Sequence, residues 1–428
     1  MLSAKDNELV CRVGPDAPMG QAMRHFWLPA LMSRELPEPH GNPVHVELLG
    51  ENFVAFRDAE GKVGLLDEFC PHRGASLTVG RVEQCGIRCI YHGWLFATDG
   101  TVLETPNVQD PRFKQRFKAT SYPVRESGGI IWTYLGDPAR MPAFPDFGWI
   151  GSPDAMRINS VQIIGANYLQ IMEGVIDSSH LSILHSSALT QAADDAYRPS
   201  ATMDNMRFDS APRIESEETD FGLHYAAIRN IGGRLETRIS AYIAPFWVQN
   251  PNGDLIHGFV PMSDEKTAFY HIWWDGKTRF GEEPGASQRR AVVGLDDATL
   301  EDHGMTRASF YGPNRMSRAN GWQQDRAMMR AGHFTGMRRI SQEDVIASVA
   351  GGPLRDRSKE RLSSADIQIA HLYRVLLKST RAVADGGLPF GYDKSVAHIV
   401  GISGETATGE DWRTLVPQHR PLGKADAA

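Results

Sequence analysis

The chain is 428 residues long and carries 45 Lys and Arg against 52 Asp and Glu, a formal net charge of -7. Because these charges are dispersed and net acidic, nucleic acid is excluded as a partner, since binders of a phosphate backbone need clustered Lys and Arg. No stretch reaches the roughly 20 apolar residues of a membrane span, and Lys5, Asp6 and Glu8 stand where a secretory signal would be apolar. We therefore expect a cytoplasmic protein, in which four cysteines favour metal or catalytic roles over disulfides.

The length favours two domains, and the first of them is predicted to be a small β domain. After an N-terminal segment, residues 1–26, short apolar runs separated by glycine-rich turns extend from residue 27 to about residue 140. Val44, Val46 and Leu48, for example, alternate with polar neighbours, which is typical of a half-buried strand. Prolines just after residue 140 indicate a domain boundary there.

The second domain, residues 141–400, mixes helices with a long β region. A helical pattern from about 160 to 187 precedes strands from about 200 to 275, with a hairpin at Pro251–Asp254. Residues 276–318 are rich in Gly, Pro and charge, which predicts a surface excursion with little core of its own. A last helix has Ser363 and Asp366 placed as a capping box and Gly386 as its stop, before a tail at 401–428. Antiparallel strands covered by helices predict an α+β fold.

Four residues of the β domain have the spacing of a metal site. Cys70 and His72 form a C-x-H pair, and Cys89 and His92 form a C-x-x-H pair. Structural zinc sites usually open with C-x(2-4)-C, whereas here each loop offers one thiolate and one imidazole. Two such loops fit a Rieske [2Fe-2S] cluster, in which one iron binds both cysteines and the other binds both histidines. Cys11 and the nearby Cys85 fit no ligand position and are expected only to pack.

A second set of metal-ligand residues follows in the second domain, in NYLQIMEGVIDSSHLSILH. On one helix, Glu173, Asp177 and His180 would share a face. His185 would not, unless the helix ends or loosens before it. Two histidines and one carboxylate form the facial triad of non-haem iron oxygenases, so a third ligand must come from elsewhere in the chain.

CPHRGASL and CIYHGWLF, together with EGVIDSSHLSILHSS, resemble the cluster and iron motifs of the Rieske non-haem iron oxygenases. Within that family the chain is similar over most of its length to the phthalate dioxygenase group, which also contains dehydrodivanillate O-demethylase. The resemblance implies an all-β Rieske domain followed by a helix-grip (START-like) catalytic domain with an antiparallel sheet. It also implies a mononuclear Fe(II) beside the cluster, and O2 as co-substrate.

The resemblance further implies roles for single residues. The third iron ligand falls on Asp344, with Glu343 as the rival. Family subunits form head-to-tail trimers, which sometimes stack into hexamers, and Asp177 would bridge His92 of one subunit and His180 of its neighbour. Catalytic support is expected from Glu173, near that bridge, and from Asn167, which matches an asparagine near the iron but suits a helix cap or core role equally well.

Substrate and electron donor are implied in the same way. No nucleotide-binding G-x-G-x-x-G is present, so electrons are expected from a separate NADH-dependent reductase that carries flavin and an iron–sulfur cluster. The group acts on aromatic carboxylates, which should pair with a buried arginine. Arg207 is the first choice, and Arg229, Arg234 and Arg238 are further candidates. A second arginine of phthalate binders would fall in AYIAPF, where this chain has none, which counts against phthalate itself.

Several functions are compatible with these motifs. The leading hypothesis is a terminal oxygenase for phthalate-like ring dihydroxylation, and O-demethylation of a methoxy-aromatic acid is the alternative. A Rieske electron carrier or a carrier of hydrophobic ligands is more remote, because the first would not need residues 160–350. Aromatic residues of the β region either shape a ring-sized pocket or, as we expect, fill the core of the sheet: Phe246, Trp247, Phe269, Trp273 and Trp274.

Overall fold

The computed structural model describes residues 1–192, 205–292 and 316–417, together with residues 419 and 421. Two short helices come first, α1 (Ala4–Cys11) and α2 (Pro18–Met23). The Ser3 hydroxyl caps α1 by accepting from the Asp6 N–H at 3.0 Å, and Pro18 sits in the first turn of α2, where its missing N–H costs nothing. Both helices pack on the long helix at residues 367–384. The N-terminal segment therefore packs against the second domain.

The β domain consists of ten short strands in three antiparallel sheets. The strands are β1 (Trp27–Met32), β2 (Val44–Leu48), β3 (Glu51–Arg57), β4 (Val63–Asp67), β5 (Arg81–Glu83), β6 (Gly86–Arg88), β7 (Leu95–Phe96), β8 (Val102–Glu104), β9 (Val124–Ser127) and β10 (Ile130–Tyr134). The sheet orders are β1-β10-β9, β2-β3-β4 and β5-β6-β7-β8. The predicted all-β domain is confirmed.

In the second domain, the described residues form one eight-stranded antiparallel sheet. Its strands are β11 (Ile158–Ile164), β12 (Arg213–Glu218), β13 (Gly222–Ile231), β14 (Arg234–Ile243), β15 (Trp247–Gln249), β16 (Leu255–Ser263), β17 (Lys266–Trp273) and β18 (Ile402–Thr406). Their order is β11-β17-β16-β15-β14-β13-β12, and β18 pairs with β14 beside β15. The predicted hairpin at Pro251–Asp254 joins β15 to β16. The sheet also extends into the region predicted as tail, because β18 begins beyond residue 400.

Helices cover this sheet and carry much of the site. They are α3 (Tyr168–Ile176), α4 (Leu181–Leu184), α5 (Ser186–Ala192), α6 (Gly285–Val292), α7 (Arg326–Arg330), α8 (Ile340–Val349) and α9 (Ile367–Ala384). Helix α3 packs on β16 and α8, while α9 packs on β12 and β13. The capping box of Ser363 and Asp366 is present just before α9, and Gly386 follows its end with φ at +79°. None of the described helices is both long and apolar enough to cross a membrane.

The predicted surface excursion at 276–318 is described only in part, since residues 293–315 lie outside the described residues. Phe280 is 1 % exposed and Ala286 is fully buried. Arg289, on α6, pairs with Asp254 of the β15–β16 loop at 2.8 Å. The described part of this segment thus packs against the sheet, because α6 brings apolar residues and an arginine to it.

The iron segment is less helical than predicted. Helix α3 ends at Ile176, and Asp177 has extended backbone angles, φ -67° and ψ 126°. The prediction that Glu173, Asp177 and His180 share one helical face is therefore wrong. His180 instead precedes the single turn of α4, and His185 directly follows it.

Glu173 belongs to a buried ion-pair network. Its Oε1 accepts from Arg357 Nε at 2.5 Å and from the Tyr373 hydroxyl at 2.6 Å, and its other oxygen pairs with Arg355. Arg357 is fully buried, and its Nη1 also reaches Asn7 of α1 at 3.2 Å. The network therefore ties α1, α3 and α9 together.

Replacing Arg357 should destabilise the folded protein, because Glu173 would stay buried and charged without the hydrogen bonds that Arg357 donates to it. We expect Arg357→Met to lower the free energy of unfolding by about 3–5 kcal/mol, measured by urea denaturation of the metal-loaded protein. Arg234→Met is the matched control. Arg234 is 76 % exposed and pairs with Glu405 at 3.4 Å, so it should change stability by less than about 0.5 kcal/mol. Equal effects of the two variants would contradict this role of the network.

Candidate metal centres and substrate cavity

Two loops of the same shape hold the predicted cluster cysteines at one end of the β domain. Cys70 follows β4, Cys89 follows β6, and each carbonyl accepts from the N–H of a glycine four residues later. The distances are 2.8 Å for Gly74 and 3.0 Å for Gly93. Both glycines have positive φ, +70° and +75°, which glycine adopts at little steric cost. The two sharp turns bury both sulfurs, and the cysteines are 3 % and 2 % exposed.

The two predicted histidines lie against each other at the same place. The His72 and His92 ring centroids are 4.5 Å apart, and His72 stacks on Trp94 at 4.4 Å. His92 Nδ1 is buried and has no hydrogen-bond partner in the part of the chain that the structure describes. The two cysteines are free thiols. Two thiols and two imidazoles arranged in this way fit a Rieske cluster. Cys85, which was expected to pack, is instead exposed on the β5–β6 turn.

The second constellation also assembles. His180, His185 and Asp344 each offer one ligand atom, and these atoms lie within 4.8 Å of one another. The Nε2 atoms of the two histidines face the same carboxylate oxygen, Asp344 Oδ1, at 3.5 Å and 3.1 Å. Two imidazoles and one carboxylate on one side of an open space fit a mononuclear Fe(II).

The rival ligand Glu343 lies on the opposite side of the His185 ring. Its Oε2 is 2.6 Å from His185 Nδ1, and its Oε1 accepts from the Thr335 hydroxyl at 2.5 Å. This contact fixes the tautomer that leaves Nε2 facing Asp344. Burial opposes a charged imidazole, but the adjacent Asp344 and Glu343 carboxylates outweigh it and raise the pKa of His185 to about 10. Metal binding at Nε2 requires that nitrogen to be unprotonated.

Asp177 contacts the other histidine. Its Oδ2 is 3.2 Å from His180 Nδ1, and its Oδ1 accepts from the Ser179 N–H and hydroxyl at 2.8 Å and 2.7 Å. Burial alone would raise the pKa of Asp177, but the hydrogen bonds from His180 and Ser179 outweigh it and lower that pKa. Asp177 therefore carries a negative charge and orients His180 as Glu343 orients His185.

Comparison with known proteins agrees with both centres. Residues 26–123 match the Rieske [2Fe-2S] domain and residues 133–425 match the LigXa C-terminal domain-like family. The chain is 36 % identical to the phthalate 4,5-dioxygenase oxygenase subunit of Pseudomonas putida, over 96 % of this chain and 94 % of that one. It is 35 % identical to the 3-chlorobenzoate-3,4-dioxygenase oxygenase subunit of Comamonas testosteroni, over 98 % of each. The chain belongs to the Rieske non-haem iron oxygenases.

The fold agrees with a crystal structure of dicamba monooxygenase bound to dicamba, at a TM-score of 0.55 and 18 % identity over 85 % of this chain and 99 % of that one.

The oxygenase has a cavity of about 170 Å³ between the predicted iron ligands and the sheet. Side chains of β14, β16 and β17 line it on the sheet side, and the 174–185 segment and α8 line it opposite. Of the aromatic residues expected in the core, Phe269 and Trp273 line this cavity, whereas Phe246 is buried away from it. The sheet side and the β15–β16 loop contribute Arg238, Ser240, Asn250, Asp254, Leu255, His257, Phe269, His271 and Trp273.

The structure separates the candidate arginines of the oxygenase. The Arg207 side chain lies outside the described residues. Arg229 is buried, but it donates to the Ser178 carbonyl at 2.7 Å and the Asp209 carbonyl at 3.1 Å, and Arg234 is at the surface. Arg238 alone of the described three lines the cavity, and it is 5 % exposed.

Asn167 caps helix α3 in this oxygenase. Its Oδ1 caps α3 by accepting from the Leu169 N–H at 3.2 Å, and its Nδ2 donates to the carbonyls of Cys11 and Asp264. The amide group of Asn167 thus hydrogen-bonds to α3, to α1 and to the β16–β17 turn, and it joins these three elements. The cap reading of Asn167 is therefore the correct one.

Sequence reasoning missed two histidines of the cavity, His257 on β16 and His271 on β17. The signal was present in LIHGFVPMSDEKTAFYHIWWD, because they stand seven positions on either side of Asp264. This spacing predicts that they lie near each other in a hairpin that turns close to Asp264. The register shift between Pro261 and Ser263 then brings them directly opposite each other.

The adjacent acidic residues offer a direct test of the ligand assignment. We expect Asp344→Ala to lose the mononuclear iron while the cluster stays bound, because it removes the carboxylate that faces both Nε2 atoms. Glu343→Gln should retain iron with about 10- to 100-fold lower affinity, since it alters only the support of His185. Iron content and the cluster absorbance of the purified variants measure this. Loss of iron from the Glu343 variant alone would reverse the assignment.

Proposed function

We propose that this oxygenase hydroxylates the ring of a one-ring aromatic carboxylate, in a phthalate-like ring dihydroxylation. The observation that carries the proposal is the buried Arg238, which lines the same cavity as His180, His185 and Asp344. When bound, the cluster supplies single electrons and the mononuclear iron activates O2 beside the substrate. The chain's own residues bind and orient the ring, exclude water and hold the ligands in place.

The size of the cavity supports a single ring. An engineered apolar cavity of about 150 Å³ in another protein holds one benzene molecule, and the cavity here measures about 170 Å³. Leu255, Phe269 and Trp273 provide an apolar surface for the ring. A substrate of two linked aromatic rings would need considerably more room.

Arg238 suits a carboxylate for electrostatic reasons. Burial lowers the pKa of Arg238 to about 10, and the nearby positive charge of Arg229 contributes less to this shift. The guanidinium therefore stays charged at neutral pH. A substrate anion beside it offsets both the burial and the repulsion from Arg229. The curated relatives described above are named for phthalate and 3-chlorobenzoate, and both of these are aromatic carboxylates.

Electrons would enter from the side of the site opposite the substrate. A second cavity outside the predicted iron ligands is lined by Asp177, His180 and Asp344 together with Glu173 and Tyr373. The cluster loops present exposed apolar side chains, among them Phe69, Ile90 and Tyr91, each at least half exposed.

We propose that this apolar tip docks at the second cavity of a neighbouring copy in a head-to-tail trimer, which is able to stack into a hexamer. Asp177, which accepts from His180, would then also accept from His92 of the partner subunit. Electrons reach the cluster from a separate NADH-dependent reductase with flavin and an iron–sulfur cluster.

A substrate panel tests the proposed reaction. We expect the oxygenase, supplied with a reductase and NADH, to convert benzoates to ring-hydroxylated products, while methoxybenzoates release little formaldehyde. Arg238→Met should raise KM for these acids about 10- to 100-fold, because it removes hydrogen bonds to a charged group. Arg234→Met is the control and should change KM less than about twofold. Formaldehyde as the main product would instead identify an O-demethylase, and no turnover of any aromatic acid would contradict the proposal.

The electron route has its own test. Asp177→Asn should keep the cluster and the mononuclear iron but lose most of the turnover, because an amide cannot accept from two imidazole N–H groups as the carboxylate does. Electron paramagnetic resonance of both centres and product formation are the measurements. Ser179→Ala keeps the carboxylate and serves as the control with most activity retained. A wild-type rate in the Asp177 variant would exclude the bridge.

A further inference from the structure

We propose that His257 and His271 form a hydrogen-bonding pair that binds a hydroxyl group on the ring of the aromatic acid. The inference rests on the proposed function and narrows it to hydroxylated aromatic acids, with the carboxylate at Arg238 and the hydroxyl at the two imidazoles. Neither histidine belongs to the predicted iron ligands, and both line the substrate cavity.

The sheet register places the two imidazoles side by side. His257 on β16 pairs directly with His271 on β17, and their ring centroids are 5.1 Å apart with an interplanar angle of 82°. The two rings are in edge-to-face contact, and both line the same cavity. Because both strands belong to the rigid sheet, the pair is held in place before any substrate arrives.

Three of their four ring nitrogens are buried and have no hydrogen-bond partner within the described residues. His271 is 2 % exposed, and neither of its ring nitrogens has a hydrogen-bond partner there. Nδ1 of His257 is buried and equally without one. Buried polar groups in folded proteins are nearly always paired, so two such imidazoles facing a cavity indicate a polar group on the ligand.

The pair is suited to a neutral group. Burial lowers the pKa of His257 to about 4 and that of His271 well below its usual value, although the Asp344 carboxylate partly opposes both shifts. A neutral imidazole has one donor and one acceptor nitrogen. A hydroxyl has the same combination, whereas a carboxylate would only accept.

The surroundings of the pair fit an aromatic ring. The Phe269 centroid lies 4.1 Å from that of His271 and 5.3 Å from that of His257. The Trp273 ring stacks with His271 at 6.2 Å and 16°. The proposed hydroxyl site is thus bordered by the aromatic side chains of Phe269 and Trp273, against which the ring of the substrate can pack.

Equilibrium binding to the metal-loaded enzyme without O2 tests the inference. Calorimetric titrations would compare benzoate, the hydroxybenzoate isomers and the phthalate isomers. We expect one hydroxybenzoate isomer to bind at least about tenfold more tightly than benzoate, since polar groups left unpaired discriminate against the analogue that lacks the hydroxyl. His257→Phe and His271→Phe should each reduce that preference about tenfold while changing the benzoate Kd less than about threefold.

Phe269→Leu is the matched control, because it alters the apolar lining and should weaken both acids equally without changing their ratio. The wild-type ratio is informative even if a variant fails to fold. Benzoate binding with no preference for any hydroxybenzoate, or tighter binding of a phthalate, would overturn the histidine pair and leave the proposed function standing. Failure to bind every aromatic acid would overturn the proposed function as well.

Discussion

The site depends on the close contact of two histidines, His180 and His185, with two consecutive carboxylates, Glu343 and Asp344. Glu343 and Asp344 are consecutive residues of α8, and successive helical residues point about 100° apart. One carboxylate therefore reaches Nδ1 of His185 and the other reaches its Nε2, so the ring is held from both sides. Glu343 is fully buried, and a buried carboxylate without a partner is strongly destabilising. Helix α8 can consequently dock against the 177–185 segment in only one register.

With α8 docked in this way, the predicted iron ligands lie between two cavities and separate them. Gly174, Asp177, His180 and Asp344 line both the substrate cavity and the outer one. Gly174 has no side chain, and the nearest atom that a Cβ there would meet, Ser348 Oγ, is 3.9 Å away. The wall is therefore one layer of side chains thick at this point. Substrate and electrons can approach the same site from opposite sides without competing for space.

The sequence predicted those parts of the site that depend on short spacings. Cys70, His72, Cys89 and His92 converge because each pair lies in one tight loop, closed by a glycine at a fixed offset. Asp344 could be named only through the family resemblance, because nothing local says which distant carboxylate returns to the histidines. The fold class was also predictable, since alternation and turn residues are local signals.

Predictions failed where tertiary contacts override local pattern. Glu173 was placed with Asp177 on the assumption that α3 continues, but the chain leaves the helix at Asp177 and Glu173 turns to Arg357. Asn167 has the right position for a site residue, yet the cap of α3 and two carbonyls satisfy it completely. The choice of Arg238 over Arg229 needed the sheet, because both are buried arginines on adjacent strands and only contacts distinguish them.

The distribution of charge in the cavity orients the substrate. The charge of Asp344 acts on His257 and His271, whereas the charges that act on Arg238 are those of Arg229, Glu236 and Asp254. In the proposed binding mode, a substrate carboxylate would be attracted to the Arg238 end. The edge of the ring remote from the carboxylate is then the edge that faces the predicted iron ligands. Because the neutral histidines do not compete for the anion, they can hold a ring substituent without reversing this orientation. In the proposed reaction, the span between Arg238 and the triad, compared with the width of one ring, would determine which carbon atoms are hydroxylated.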